Sequence, residues 1–356
     1  MKVLAWVPEE RDISPGQRYR IEQWEPLLRS EGIEITYSPF LSAALAAILK
    51  RPGRVGGKAQ GVLGALWRRL REAWTASSYD LVYVFREGAL LGPAFAERVL
   101  AGRRLPFVFD FDDAVWIRYI SPANSYFSYL RFPGKTATLC RLARHVMVGN
   151  QHLRDYAARY NDRVSVVPST IDTVRYRPAP RPPNAVPVIG WTGSYSTVQY
   201  LGVVRTALER LRARRTFRVV VVGGEGFAAK GVDVEHRPWR SATEVEDLLD
   251  FDVGIMPLPD SPWERGKCGL KALQYMALEI PAVVSPVGVN REIVQHGKNG
   301  LLAGSEAEWE AALDSLLTDA SLRRALGQAG RATVEASYSA TVHAPRVAEV
   351  FRQAVG

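Results

Sequence analysis

Two groups of residues have the types and spacing to do chemistry. The first is Gly266-Lys267-Cys268-Gly269, followed by Lys271 and Gln274 in a helical pattern packed through Ala272, Leu273, Met276 and Ala277. A glycine-bearing loop that feeds a helix start presents N–H groups lacking intrahelical acceptors, at the positive end of the helix dipole. Lys267 and Lys271 add point charges there, and the combination reads as a diphosphate-binding site. Glu264 stands just upstream, and Asn290 and Glu292 in VGVNREIV offer further polar groups; Asn290 reads equally well as a helix cap. The second group is Asp110-Phe111-Asp112-Asp113. It could orient a hydroxyl nucleophile, through Asp112 or Asp113, bind a metal ion, or stabilise developing positive charge. The structural alternative has Asp113 capping the next helix and Asp110 pairing with Arg86. Arg86-Glu87 reads as an ion pair or as a further ligand contact.

The elements that must carry these residues alternate strand and helix. Strands are expected at 3–7, 33–37, 80–85, 106–110, 146–148 and 164–167, and again at 188–191, 218–222, 253–256 and 282–285, with helical patterns between most of them. Fully apolar runs such as LVYVF suit buried parallel strands, so the expected class is α/β with doubly wound sheets. In such sheets ligands gather beyond the carboxyl ends of the strands. RPAPRPPNAVP, read from Arg177, is the best linker. The expected division is 1–178, a linker over 179–186, a second domain over 187–340, and a last helix over 341–356 returning to the first domain. A cleft between the two sets of strand ends would exclude water.

Composition narrows the partners. A net charge of +9 over 356 residues favours anions, while two cysteines form no disulfide framework and suit a reducing, cytoplasmic setting. The amino terminus lacks the length and cleavage site of a signal peptide, and no apolar run approaches the roughly 18 residues of a membrane span. His145 and His152 flank helices and read as structural, and no Cys/His spacing suggests zinc. Gly223-Gly224-Glu225-Gly226 reads more readily as a tight turn than as a nucleotide signal.

Residues 41–78 interrupt the pattern with seven basic residues against the single acid Glu72. Leu63, Leu66, Trp67, Leu70 and Trp74 fall at helical spacing, which suits an interfacial helix on an anionic bilayer and a peripheral position on the inner face of the cell membrane. Packing of that stripe on the first domain is the alternative. Nucleic acid fits less well, because no base-stacking module accompanies the charge.

KCGLKALQYMALEIPAVVSPVGVNREIVQHGKNGLLA resembles the donor-binding region of retaining glycosyltransferases of family 4, which have the two-domain GT-B fold. GNQHLRDYAARYNDRVSVVPSTIDTVRYRP is similar to that family's segment before the hinge. IGWTGSYSTVQYL resembles the opening of its second domain, and YDLVYVFREGALLGP with LPFVFDFDDAVW resembles one branch of it. The resemblance implies two Rossmann-like domains and transfer of a sugar from a nucleotide-diphosphate sugar with retained anomeric configuration. It implies no required metal and no cofactor beyond the donor, and a saccharide or lipid-linked acceptor. The family's E-x7-E glutamates fall here on Gly266 and Gln274, and its Arg/Lys pair on Gly193-Ser194. Gln274 would then serve the ribose, Glu264 the sugar, and the lysines the missing charge. Gly16, Arg18 and Arg20 hold the place of the glycine-bearing loop after the first strand, or a solvated helix start. Arg86, Glu87, Asp110 and Asp112 would face the acceptor. The missing glutamates also motivate a non-catalytic relative that binds nucleotide or saccharide; a nucleotide-sugar epimerase is a third reading.

Overall fold

The computed structural model describes residues 1–50, 55–117, 132 and 134–356. The chain divides into two compact units, Met1–Ser169 with His343–Gly356, and Thr170–Val342.

In the first unit six parallel strands run β1 (Lys2–Val7), β2 (Glu34–Pro39), β3 (Leu81–Phe85), β4 (Phe107–Phe111), β5 (His145–Val148) and β6 (Val164–Val166), in the sheet order β2-β1-β3-β4-β5-β6. The inner strands are buried at every position (LVYVF, FVFDF and HVMV), so their side chains meet helices on both faces. The final helix, Ala340–Val355, lies mostly within this unit. Its Phe351 is buried with its ring 5.7 Å from that of Tyr83, and Arg352 pairs with Glu31 at 2.9 Å.

The second unit contains β7 (Val188–Thr192), β8 (Arg218–Val222), β9 (Asp233–Arg237), β10 (Val253–Met256), β11 (Ala282–Val284) and β12 (Leu301–Leu302), all parallel, in the order β12-β11-β10-β7-β8-β9. Ile189, Val219, Val221, Val253, Ile255 and Val283 form its core with Leu208, Leu211, Trp309 and Leu313 from the covering helices. Residues 170–178, expected in the first domain, join this unit. Ile171 bridges Ser339, Tyr176 bonds Glu244 at 2.6 Å, and Arg331 donates to the carbonyl of Thr173 at 3.0 Å. Among the described residues no helix is long and apolar enough to cross a membrane.

In each sheet the order reverses beside the first strand, between β1 and β3 and between β7 and β10. At such a point the connections leave on opposite faces and open a crevice at the strand ends. Both groups of residues singled out above sit at these two places.

Acid should affect the two units differently. In the second unit Glu235, Asp260, Glu308, Asp314 and Asp319 lie below the usual carboxylate range. They are held there chiefly by Arg237, Arg265, the Gly304 amide, Arg215 and the Ser321 hydroxyl, in that order. A carboxyl lowered by folding stabilises above its unfolded pKa, and that contribution is lost as pH falls through the folded value. In the first unit burial raises Glu22 and Asp110, which reverses the sign, and burial lowers His145, whose contribution starts to fall away near its ordinary value of 6.5. Hydrogen exchange should therefore show the steeper loss of protection in β7–β11 below about pH 4.5. Earlier and steeper loss from β1–β5 in that range would contradict this.

Candidate functional site

At the β7/β10 reversal, the loop after β10 turns through a short 3-10 helix, Glu264–Gly266, and enters the helix Leu270–Ala277. Gly269 is the residue before that helix and has φ +70°, a conformation that suits glycine. A Cβ there would also lie 2.2 Å from Ile293 Cδ1. The sequence signal of a glycine before a lysine-bearing helix thus reflects backbone geometry. Tyr275 fixes the helix to both strands at the reversal: its buried hydroxyl accepts from the Thr192 amide at 3.0 Å and donates to the Ile255 carbonyl at 3.3 Å.

Lys271, in the first turn, is half-buried and extends over the carboxyl end of β7, its ammonium 5.5 Å from the centre of the Trp191 ring. Lys267 is held similarly over Trp263, at 5.3 Å. Trp191 is 1% exposed and forms the floor of this corner. Gly193 packs against it so closely that a Cβ would come within 2.3 Å of the indole, and Ser194 beside it is exposed. The Lys271 ammonium, the first-turn amides and the indole beneath make a corner fit for a multiply charged anion, with Lys267 on the turn that leads into the helix.

Several residues expected to contact a ligand here are occupied internally. Glu264, 6% exposed, accepts from Tyr200 at 2.6 Å and also from Ser261, tying the loop after β10 to the 3-10 segment Val198–Val203 after β7. Gln274 is buried and donates to Glu244 at 2.9 Å and Tyr176 at 3.4 Å, and Glu244 also accepts from Trp239 at 3.1 Å. Glu244, on another helix, is itself buried at the centre of this network. Cys268 is buried, with its Sγ 3.7 Å from the Gly266 carbonyl. Asn290 does not cap the helix Asn290–Ile293; it is its first residue, and its Nδ2 donates to the Ser285 carbonyl at 3.0 Å. Glu292 is exposed on the same short helix.

At the β1/β3 reversal the structure gathers Gly16, Arg86, Asp112 and Asp113. Arg86 leaves β3 with φ +60°, a strained conformation for a residue with a Cβ. Its Nε donates to Asp112 at 2.7 Å and its Nη2 to Asp113 at 2.9 Å. Gly16, in the helix Pro15–Arg20 that follows β1, lies against this fork; a Cβ there would be 2.9 Å from Arg86 Nη2 and 3.3 Å from Asp112 Oδ2. Glu87, beside the fork, is 3.5 Å from the buried ammonium of Lys135.

Two expectations in this unit need correction. Asp110 pairs with Arg20, not Arg86, because it is still inside β4, in register with Phe85 and Met147. Its fully buried carboxylate accepts from Arg20 Nε at 3.0 Å and Nη2 at 2.5 Å, and from the Tyr83 hydroxyl, while Arg20 also reaches the Val167 carbonyl. Burial pushes the Asp110 carboxyl and the Tyr83 phenol up, Arg20 pulling the carboxyl back only in part. Asp110 is therefore a support beneath the fork and has no surface to offer an acceptor. Arg18 is also turned inward, 6% exposed, towards Asp12 at 3.3 Å and the Tyr19 hydroxyl at 3.3 Å. Among the described residues no group of three or more His, Cys, Asp or Glu is placed to hold a metal ion.

Residues 186–319 match the family model described as glycosyl transferases group 1. The chain is 30% identical over 196 residues to a D-inositol 3-phosphate glycosyltransferase of Nocardia farcinica, an alignment covering 47% of this chain and 42% of that one. It is 29% identical over 199 residues to the protein so named in Stackebrandtia nassauensis, covering 46% and 43%. The chain thus spans less than half the length of these relatives. Among solved structures, sucrose-phosphate synthase from Thermosynechococcus elongatus superposes with a TM-score of 0.71 at 16% identity, covering 99% of this chain and 98% of that one. Anabaena HepE in complex with UDP-glucose superposes with a TM-score of 0.69 at 16% identity, covering 99% of each. The second unit carries the match to the glycosyl transferases group 1 model, in a chain that has the GT-B fold.

Proposed function

We propose that the protein is a retaining glycosyltransferase of the family 4 type, moving a sugar from a nucleotide-diphosphate sugar to a hydroxyl of a saccharide or lipid-linked acceptor. The reaction is set in the cytoplasm, at or near the inner face of a membrane. The observation that carries the reading is the placement of Lys271 in the first turn of a helix opened by a left-handed glycine, at the β7/β10 reversal of a domain that matches this family.

The chemistry follows from charge. The bond from the anomeric carbon to the phosphate oxygen breaks, the diphosphate leaves with the electron pair, and a bond to the acceptor oxygen forms on the same face. In such a substitution the departing phosphate oxygen is the nearest base for the acceptor proton. Negative charge grows on the leaving group while the sugar becomes oxocarbenium-like, so cations fixed beforehand at the phosphates bind the transition state more strongly than the ground state. Lys267, Lys271 and the first-turn amides serve that role. Ser194 and Glu292, both exposed, are the polar side chains beside this corner that a donor could meet, while Gly193 and Asn290 support it from within. In the first unit the Arg86 fork holds Asp112 and Asp113 in fixed positions, and Asp112 orients the acceptor hydroxyl.

A second reading, a non-catalytic relative that binds nucleotide or saccharide, draws on one observation: Glu264 and Gln274 are both engaged inside the protein. Thermal melting with a panel of nucleoside diphosphates and their sugars tests donor binding. A ligand at about 100 times its Kd should add ~2.7 kcal/mol, raising the melting temperature by several degrees. If no nucleotide in the panel shifts melting, the transferase reading and the nucleotide-binding form of the second both fail. A shift with slow donor hydrolysis or transfer supports the enzyme, and a shift without turnover supports the binding protein.

A further inference from the structure

The helix Val55–Thr75 has two sides of opposite character. On the inner side Ala65 and Ala73 are buried, Ala65 in a cluster with Phe40, Leu45 and Ala89. Arg69 is inside as well, 1% exposed. It donates to the Gly88 carbonyl at 2.7 Å, the Ser38 hydroxyl at 2.9 Å, the Ser38 carbonyl at 3.0 Å and Glu72 at 2.8 Å, with its guanidinium 4.7 Å from the Trp6 ring. Burial lowers its pKa to about 10, which leaves it charged at neutral pH. Arg69, one of the seven basic residues of 41–78, therefore fixes the rotation of the helix and cannot meet a membrane. Glu72, the one acid of this helix, is turned to the same inner network, where Ser38 also bonds it at 2.8 Å.

On the outer side Leu63, Trp67 and Trp74 are 65%, 72% and 58% exposed. Steps of four and seven residues put them on one face, a ridge roughly 16 Å long. Arg68 and Arg71 are exposed beside it, and Arg103 stacks its guanidinium 5.0 Å from the Trp74 ring. Arg68 pairs with Glu72 at 3.8 Å and donates to the Pro39 carbonyl at 2.7 Å, so the cations the ridge offers are Arg71 and Arg103.

We propose that this ridge seats on an anionic bilayer surface, with Trp67 and Trp74 at the boundary of headgroups and acyl chains and Arg71 and Arg103 on lipid phosphates. Tryptophan and leucine among arginines suit that boundary, where an amphipathic ring has one end apolar and the other wet. A second copy docked face to face would set the same arginines against each other. A nucleic acid would neutralise the arginines and leave Leu63 with no apolar partner. The proposal adds a partner to the transferase reading without resting on it, since transfer to a soluble acceptor would survive its failure.

Co-sedimentation of the full chain with vesicles of phosphatidylcholine alone, or mixed with phosphatidylglycerol, tests it. Binding should require phosphatidylglycerol and weaken with added salt. Arg71→Gln and Arg103→Gln should each weaken it about fivefold, and Leu63→Ser with Trp67→Ser should abolish it. All these positions are exposed, so melting temperature and donor binding should not change, which separates lost docking from misfolding. Binding to neither vesicle, equal binding to both, or vesicle binding untouched by the Leu63 and Trp67 pair would overturn the proposal. So would a concentration-dependent dimer that the same pair abolishes while no vesicle is bound.

Discussion

Replacing Lys271 with methionine is expected to lower kcat for sugar transfer by about 100- to 1,000-fold, the effect of removing one preorganised donor from developing negative charge, ~2.7–4 kcal/mol. The ammonium stands over the Trp191 ring at the end of β7, in the first turn of the helix that carries it. Little of its geometry has to be assembled during the reaction. Methionine keeps an unbranched apolar stem against the indole and removes only the charge. Because the charge that Lys271 meets grows during departure of the diphosphate, kcat should fall more than KM rises. Lys271→Arg should recover part of the rate, since a planar guanidinium keeps the charge but not its position. Steady-state release of nucleoside diphosphate, with circular dichroism as a folding control, measures both. A methionine variant within threefold of the parent would remove Lys271 from the chemistry.

The largest stability effect is expected at Asp110. Substitution with leucine leaves Arg20 charged, fully buried and without its carboxylate, and should destabilise the first unit by about 3–5 kcal/mol. The Tyr83 hydroxyl loses its bond to the carboxylate in the same step and keeps only the longer one to the Arg20 carbonyl, at 3.3 Å, which adds to the cost. Arg20→Met combined with Asp110→Leu removes both charges and should recover most of the loss, as apolar replacements of buried ion pairs commonly do. Urea unfolding followed by hydrogen exchange in β3 and β4 reads the change where it occurs. If the single variant costs less than about 1 kcal/mol, the pair does not hold this region together. The fork of Arg86 with Asp112 and Asp113 stands at the ends of those strands, so it should loosen in the single variant and recover in the double one.

What could be read in the sequence follows from the range over which each feature is determined. Inner strands such as LVYVF, RVVVV and VGIM were legible because parallel strands covered on both faces are apolar throughout. DVEHR was not, because β9 is an edge strand with only partial burial, and β12 has only two residues to show. Gly269 and Lys271 were legible as a local pattern of left-handed glycine followed by a first-turn cation. The partners of Glu264, Gln274 and Asp110 were not. Tyr200, Glu244 and Arg20 lie 64, 30 and 90 residues away from them, and only the sheet order brings them together. Asp110 reads in the sequence as an acceptor contact, with a pair to Arg86 as the structural alternative, and it is neither. The left-handed turn of Arg86 sends the guanidinium instead to the residues just past β4, while Asp110, still within the strand, meets the helix Pro15–Arg20.

The course of the backbone has a consequence for how the protein is made. The first unit takes its final helical segment, 343–356, from beyond the whole of the second unit, whereas the second is one uninterrupted stretch, 170–342. Val347, Ala348 and Phe351 of that segment are buried, so the first unit's core stays open on the ribosome until residues 343–356 emerge. The first unit is thus completed only after the second, and removing residues 343–356 should harm the sheet β1–β6 while sparing β7–β12, which is nearer in sequence.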